Sequence, residues 1–266
     1  MKIVVCVKQV PEVTNVQVDP KTGTLIREGV KSILNPFCEY ALDHAVRIAA
    51  TNENVEIIVV TMGPGQARDA LLRCLELGAD RGLLVCDRKF AGADTWATAL
   101  TLASTIRMFI PDFDLVLVGK QAIDGDTAQV GPEIAEILGI PQVTYGVEVA
   151  TGKTGRHVQV KCEVERGYEV IEAALPALVT VSKGETVRRA PSFEGVLSAR
   201  HKPIRVVTAE DLRLPEEELG LRGSFTQVVK VFPPQNKKSC QIIENEDAAI
   251  AAGEIYAYLK DHRFVS

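Results

Sequence analysis

The residues best placed to do chemistry lie in one polar run, Gly119-Lys120-Gln121-Ala122-Ile123-Asp124-Gly125-Asp126-Thr127-Ala128-Gln129-Val130-Gly131-Pro132. It follows a short apolar stretch and leads into a segment with helical spacing. Its glycines let backbone amides turn outward, and free amides at a helix start attract phosphate. Asp124 and Asp126 oppose that, because at contact distance they repel a phosphate. They read instead as acceptors for ribose hydroxyls, or for Thr127 and the amides that follow. The same composition also makes an ordinary strand-to-helix turn with a helix cap, and residue types alone leave both readings open.

Other chemistries find less support. Gly63-Pro64-Gly65 begins like a dinucleotide fingerprint, but Arg68 stands where a third glycine is required. No Walker-type G-x-x-x-x-G-K-[ST] run occurs. His44, His157, His201 and His262 are dispersed, which favours surface or capping roles over metal binding. The cysteines (Cys6, Cys38, Cys74, Cys86, Cys162, Cys240) include no C-x-x-C pair, which excludes a ferredoxin-like cluster motif and a local zinc site. Cys6 and Cys86, in apolar runs, read as small core residues, and Trp96 as a packing residue. No Ser/His/Asp or Cys/His set has a supporting local motif, so neither a catalytic residue nor a metal ligand is expected.

The elements that must position the polar run follow from two alternating periodicities. Short β-branched runs at Ile3–Val7, Val55–Thr61, Gly82–Cys86 and Leu115–Val118 suit strands buried on both faces, as in a parallel sheet. Between them, Asn35-Pro36 opens a helix, with Asn as N-cap, Pro in the first turn, and Ala41, Leu42, Ala45, Val46, Ile48 and Ala49 inward. A second helix runs from about Gln66 to Leu77 and stops at Gly78. Asp94 caps a third, from Thr95 to about Met108, and a fourth ends at Leu138-Gly139. Alternating strand and helix predict right-handed crossovers and an α/β, doubly wound, mostly parallel, Rossmann-like sheet. In such a sheet ligands bind beyond the carboxyl ends of the strands, which is where the polar run falls.

After Pro141 the pattern changes. His157–Glu163 alternates as a half-exposed antiparallel strand does, Arg166-Gly167-Tyr168 reads as a turn, and Glu169–Ala174 and Ala177–Ser182 follow. The sheet is thus expected to gain late antiparallel strands. From about Lys183 core periodicity gives out, leaving charge clusters, prolines and one last helix at Asp247–His262, with Ile250, Ile255 and Leu259 along one side. Such an extended C-terminal arm must lie on its own sheet or on a partner chain.

The chain has 266 residues, 46% hydrophobic and 24% charged, with 30 Lys+Arg against 35 Asp+Glu for a net charge of −5. That is a globular composition and excludes a nucleic-acid binder working by bulk charge. Aromatics at 5% are too few for stacking platforms. The longest uncharged stretch, Thr95 to Ile106, falls short of the about 20 apolar residues a bilayer span needs. The apolar run between Lys2 and Lys8 is too short for a secretory signal. These features predict a reduced, cytoplasmic, soluble protein.

The polar loop Gly119–Pro132 closely resembles the signature of the electron transfer flavoprotein beta subunit. Val5-Cys6-Val7-Lys8-Gln9-Val10-Pro11, Asn35-Pro36-Phe37-Cys38-Glu39, Gly78-Ala79-Asp80-Arg81-Gly82, Val164-Glu165-Arg166 and Leu175-Pro176-Ala177-Leu178-Val179-Thr180 are similar in register, so the resemblance spans about residues 1 to 210. It implies an adenine-nucleotide-binding α/β domain at 1–185, a loop at 186–205 that recognises a partner dehydrogenase, and an arm at 206–266 that packs on an alpha subunit. It implies nucleotide contacts from Cys6, Asn35, Pro36, Phe37, Cys38, Met62, Gly119, Lys120, Gln121, Ala122, Ile123, Asp124, Gly125, Asp126, Thr127, Ala128, Gln129 and Val130. The form of the loop from Asp124 to Pro132 resembles the bifurcating subgroup, which holds FAD where simple carriers hold AMP. Asp94, Thr95 and Thr98 then become candidates for the isoalloxazine side.

In that subgroup NADH is the electron donor. One electron passes to ferredoxin or flavodoxin, and one through the alpha-subunit FAD to a flavin-dependent dehydrogenase of acyl-CoA or 2-hydroxy-acid type. Within the recognition loop Phe193 stands where the family's usual anchor is Leu, with Leu197 beside it. The alternatives are a simple carrier that binds AMP structurally and an unrelated adenine-nucleotide module. Against the last, no S-G-G-x-D-S pyrophosphate loop is present.

Overall fold

Lys2–Cys6 (β1) is apolar and buried from Ile3 to Cys6, as the central strand of a covered sheet must be, with Lys2 half-buried at its start. The computed structural model describes residues 1–12, 31–152, 155–184, 189–229, 242–244 and 247–265. After β1 come the short strands Gln9–Pro11 (β2) and Ser32–Leu34 (β3), which pair antiparallel, and the helix Pro36–Thr51 (α1). Then follow Glu56–Met62 (β4), Arg68–Glu76 (α2), Arg81–Val85 (β5), Thr95–Phe109 (α3), Leu115–Gly119 (β6) and Val130–Leu138 (α4). The second half holds Gln142–Thr151 (β7), His157–Val164 (β8), Gly167–Ala174 (β9), Ala177–Val181 (β10), Phe193–Ala199 (α5), Ile204–Val207 (β11), Ala209–Leu212 (α6) and Ala248–Asp261 (α7).

The main sheet runs in the order β11-β5-β4-β1-β6-β10-β7-β8-β9. It is parallel from β11 to β7 and antiparallel at β7–β8 and β8–β9. The late antiparallel strands are therefore β8 and β9. Ala177–Val181 instead enters in parallel between β6 and β7, and every residue of it is buried, which is the composition a parallel strand needs. One core layer packs α1 and α2 on one face of the sheet; the other packs α3, α4 and α6 on the opposite face. The helix stops follow their residues: Gly78 has φ +123° and Gly139 φ +69°.

The core also extends beyond Lys183, where periodicity gives out in the sequence. β11 pairs in parallel with β5, and Val207, Leu212 and Leu219 are buried. A four-residue strand with Arg205 inside it is too short and too polar to show a period. His44 is a second departure: it is buried in α1, not at the surface, and burial lowers its pKa. The expected last helix is present as α7, capped by Asp247, but no residue of it is buried within this chain. Among the described residues, no helix is long and apolar enough to cross a membrane.

Candidate functional site

The chain leaves β1 for β4 on one side and returns to β6 on the other, so the crevice at the topological switch point lies beyond the carboxyl ends of β1 and β6. Three segments meet there. Lys8, just past β1, places its Nζ 2.7 Å and 2.9 Å from the two carboxylate oxygens of Asp124 in the loop after β6. Asn35, at the start of α1, reaches the same loop: its amide nitrogen donates to Gln121 O at 2.8 Å, and its side-chain oxygen accepts from Ile123 N at 3.1 Å. Asn35 is thus the N-cap by position but not by bonding, since its side chain is spent on the loop. The expected capping bond gives way to two longer-range ones that hold the loop against α1.

Gly119 makes that approach possible. A Cβ there would lie 2.8 Å from the Phe37 backbone and 2.9 Å from Cys38 N. Pro36, Phe37 and Cys38 form the first turn of α1 directly beneath. Cys38 Sγ accepts from the Asn35 amide at 3.3 Å. Burial pushes the Cys38 thiol up against the opposing hydrogen bonds from Asn35, Lys8 and Gly119, and burial pushes Cys6 up to about 12. Both are neutral, buried thiols rather than activated nucleophiles. Met62 ends the neighbouring strand β4 and packs partly into the core.

Within the loop, Asp126 accepts from the Gln121 side chain. Both carboxylates that oppose a phosphate are thereby occupied, Asp124 by Lys8 and Asp126 by Gln121. Asp126 and Ala128 have positive φ, +55° and +56°, which is costly for alanine. Gln129 follows at φ −101°, ψ −35°. A left-handed residue followed by a right-handed one turns successive amides to one side, the nest that binds anions. Here the nest opens onto the N-terminus of α4, whose dipole favours negative charge as well. Gly131 then brings α4 onto the sheet, where a Cβ would come within 2.7 Å of Val118 and 2.8 Å of Thr180 side-chain carbons. The donor set, with the acidic groups already paired, fits a nucleotide phosphate.

The start of α3 joins this site from β5. Asp94 caps α3 by accepting from Ala97 N at 3.0 Å, and Thr98 N donates to Asp94 O. Thr95 Oγ1 donates to Glu133 Oε1 at 3.0 Å, which ties α3 to the first turn of α4. Glu133 Oε2 is buried without a partner among the described residues. Its burial, and next the Asp94 charge, raise its pKa against the Thr95 hydrogen bond. Phe193 and Leu197 are elsewhere, on α5, which lies against α2; Phe193 is 81% exposed and Leu197 47%. Among the described residues, no group of His, Cys, Asp or Glu could hold a metal ion.

Residue types alone did not single out Lys8 or Glu133. Lys8 sits two positions past Cys6, so its place at the switch point was visible, but its partner was not. Glu133 lies inside a helical stretch, where a glutamate reads as a solvated face.

Comparison with known proteins agrees with this geometry. The family model described as "Electron transfer flavoprotein domain" matches residues 22–212. The chain is 46% identical over 267 residues to the "Caffeyl-CoA reductase-Etf complex subunit CarD" of Acetobacterium woodii, covering 100% of both chains. It is 43% identical over 265 residues to the "Electron transfer flavoprotein subunit beta" of Clostridium acetobutylicum, again covering 100% of both. It is 41% identical over 239 residues to "Protein FixA" of Azorhizobium caulinodans, covering 88% of this chain and 85% of the relative. With the sheet, the switch-point crevice and matches of this length, the chain belongs to the electron transfer flavoprotein family, as a beta subunit.

Proposed function

We propose that this beta subunit holds FAD in the switch-point crevice and works, with an alpha subunit, in NADH-dependent electron bifurcation. The observation that carries the reading is the Thr95–Glu133 hydrogen bond. It sets the N-terminus of α3 beside that of α4, so the site continues from the phosphate nest to a second polar helix start. AMP needs only the nest and the crevice floor; a dinucleotide has use for both ends. The name of the Acetobacterium relative, a subunit of a caffeyl-CoA reductase complex, favours the same reading.

In this proposal Cys6, Asn35–Cys38 and Met62 shape the adenosine side, and the amides around Thr127, Ala128 and Gln129 hold phosphate. Lys8 keeps the Asp124 charge off the phosphate, and Asp94, Thr95 and Thr98 line the far end. FAD, when bound, supplies the exchange between two-electron and one-electron chemistry. The activity takes the two electrons of NADH, giving one to ferredoxin or flavodoxin and one, through the alpha subunit, to a flavin-dependent dehydrogenase of acyl-CoA or 2-hydroxy-acid type. Phe193 and Leu197 are the surface offered to that dehydrogenase. The arm ending in α7 is the surface offered to the alpha subunit; Ile250, Ile255 and Tyr256 are about half exposed on it. The described cysteines are free, as suits the cytoplasm.

The test is cofactor stoichiometry in the purified alpha–beta complex. Two FAD per pair support the reading; one FAD and one AMP sink it in favour of a simple carrier.

A further inference from the structure

We infer that Leu219–Thr226 is a positioning strap for the nucleotide site, which ties the C-terminal part of the chain to the first turn of α3 through Asp94. The strap is anchored at one end by Leu219, buried in the core layer to which α3, α4 and α6 belong. Gly220, at φ +53°, runs so close to the segment before α3 that a Cβ would collide with the Lys89 carbonyl. Leu221 N donates to Ala91 O at 3.0 Å. Ser224 Oγ accepts from Asp94 N at 2.8 Å and donates to Gly220 O at 2.8 Å. Thr226 donates twice to Asp94 Oδ2, from its amide at 2.9 Å and its hydroxyl at 3.1 Å. Phe225 lays its ring 5.7 Å from that of Trp96, so the tryptophan packs on the strap.

Asp94 therefore has one carboxylate oxygen in the helix cap and the other in the strap. Whatever fixes the strap fixes the orientation of the cap. A ligand seated at the start of α3 and the strap must then influence one another, and by linkage the influence is equal in both directions. This rests on the reading that the site extends to α3.

The test uses the full-length alpha–beta complex carrying Ser224→Ala with Thr226→Val, and separately Thr226→Ser. The double variant is expected to bind FAD at the beta site about tenfold more weakly, with the heterodimer intact. Thr226→Ser, which keeps the hydroxyl, is expected to match the parent. Hydrogen exchange gives the second readout: adding FAD to the parent slows exchange of the Thr226 amide, and the double variant speeds exchange of the Ala97 amide. Equal FAD affinity in parent and double variant, or a Thr226 amide indifferent to FAD, overturns the strap alone. A parent complex that takes AMP and refuses FAD overturns the proposed function instead.

Discussion

Lys8 Nζ sits between the two carboxylate oxygens of Asp124, at 2.7 Å and 2.9 Å, and so joins the segment after β1 to the loop after β6 across the switch point. The pair is half-exposed, with Lys8 48% and Asp124 26% accessible in their side chains. Ion pairs of that exposure stabilise a fold by about 0–1 kcal/mol. Its importance lies in where it leaves the charge: the Asp124 carboxylate beside an anion nest is neutralised by a cation from the segment after β1.

Lys8→Ala is therefore expected to separate stability from binding. The unfolding midpoint should move by no more than about 4 °C. Affinity for FAD or AMP at the beta site should fall about tenfold at low salt, and the deficit should shrink as salt screens the exposed Asp124. Titration of the stripped complex with each nucleotide at two ionic strengths decides the point. Parent-like affinity at low salt would mean that the Asp124 charge does not reach the bound phosphate.

Asn35 is expected to behave the other way. It is 1% exposed, and its side chain satisfies Gln121 O and Ile123 N. Asn35→Ala orphans both, and each unmade bond at a buried group costs about 1–3 kcal/mol. Urea unfolding should show a loss of about 2–4 kcal/mol. Asn35→Asp keeps an acceptor for Ile123 N but loses the donor to Gln121 O and adds a buried charge, so it should not rescue. A loss below about 0.5 kcal/mol would show that the loop holds itself without Asn35.

These two residues also show what could be read in advance. The β-branched runs announce β1, β4, β5 and β6, and the Asp94 and Gly139 helix signals hold, because burial on both faces and caps are local properties. Asn35 marks a helix start by type, yet its bonds go to a loop 86 and 88 residues away, which no local rule reports. β10 and β11 are settled by which strands they lie beside, not by their own period. Ser224 and Thr226 carry no signal, since small hydroxyl residues in an aperiodic segment are ordinary. The polar loop was legible as a candidate site; the Lys8–Asp124 pair across the switch point was not.

Glycine contacts give a prediction with an internal control. At Gly131 an added methyl meets side-chain carbons of Val118 and Thr180 at 2.7 Å and 2.8 Å, between α4 and the sheet. Gly131→Ala should cost about 1–3 kcal/mol through overpacking and weaken nucleotide binding by displacing the nest. At Gly125 the same methyl meets nothing within 4 Å, so Gly125→Ala should stay within about 0.5 kcal/mol of the parent. Denaturant midpoints of the two variants, measured side by side, test the contrast. Equal midpoints would mean that α4 can back away from the sheet.

The acid–base behaviour of the α3–α4 junction follows from Glu133 and Asp94. Burial, and next the Asp94 charge, hold the Glu133 carboxyl above its ordinary value. A carboxyl raised on folding adds stability below its unfolded pKa, and that stability is lost as pH rises through the folded value. Asp94 has the opposite sign. Burial raises it, but the hydrogen bonds from Ala97, from Thr226 amide and hydroxyl, and from Phe225 outweigh burial and lower it. Its contribution is present above the ordinary carboxylate range and is lost as pH falls through its depressed value. Glu133→Gln keeps an acceptor for Thr95 and removes the charge that the buried Oε2 cannot share. The variant should therefore be more stable than the parent near about pH 8, with the difference closing near about pH 4, where the parent glutamate is largely protonated. Chemical denaturation at the two pH values reads this directly. A variant destabilised equally at both would show that the Thr95–Glu133 bond, not the charge, governs the junction.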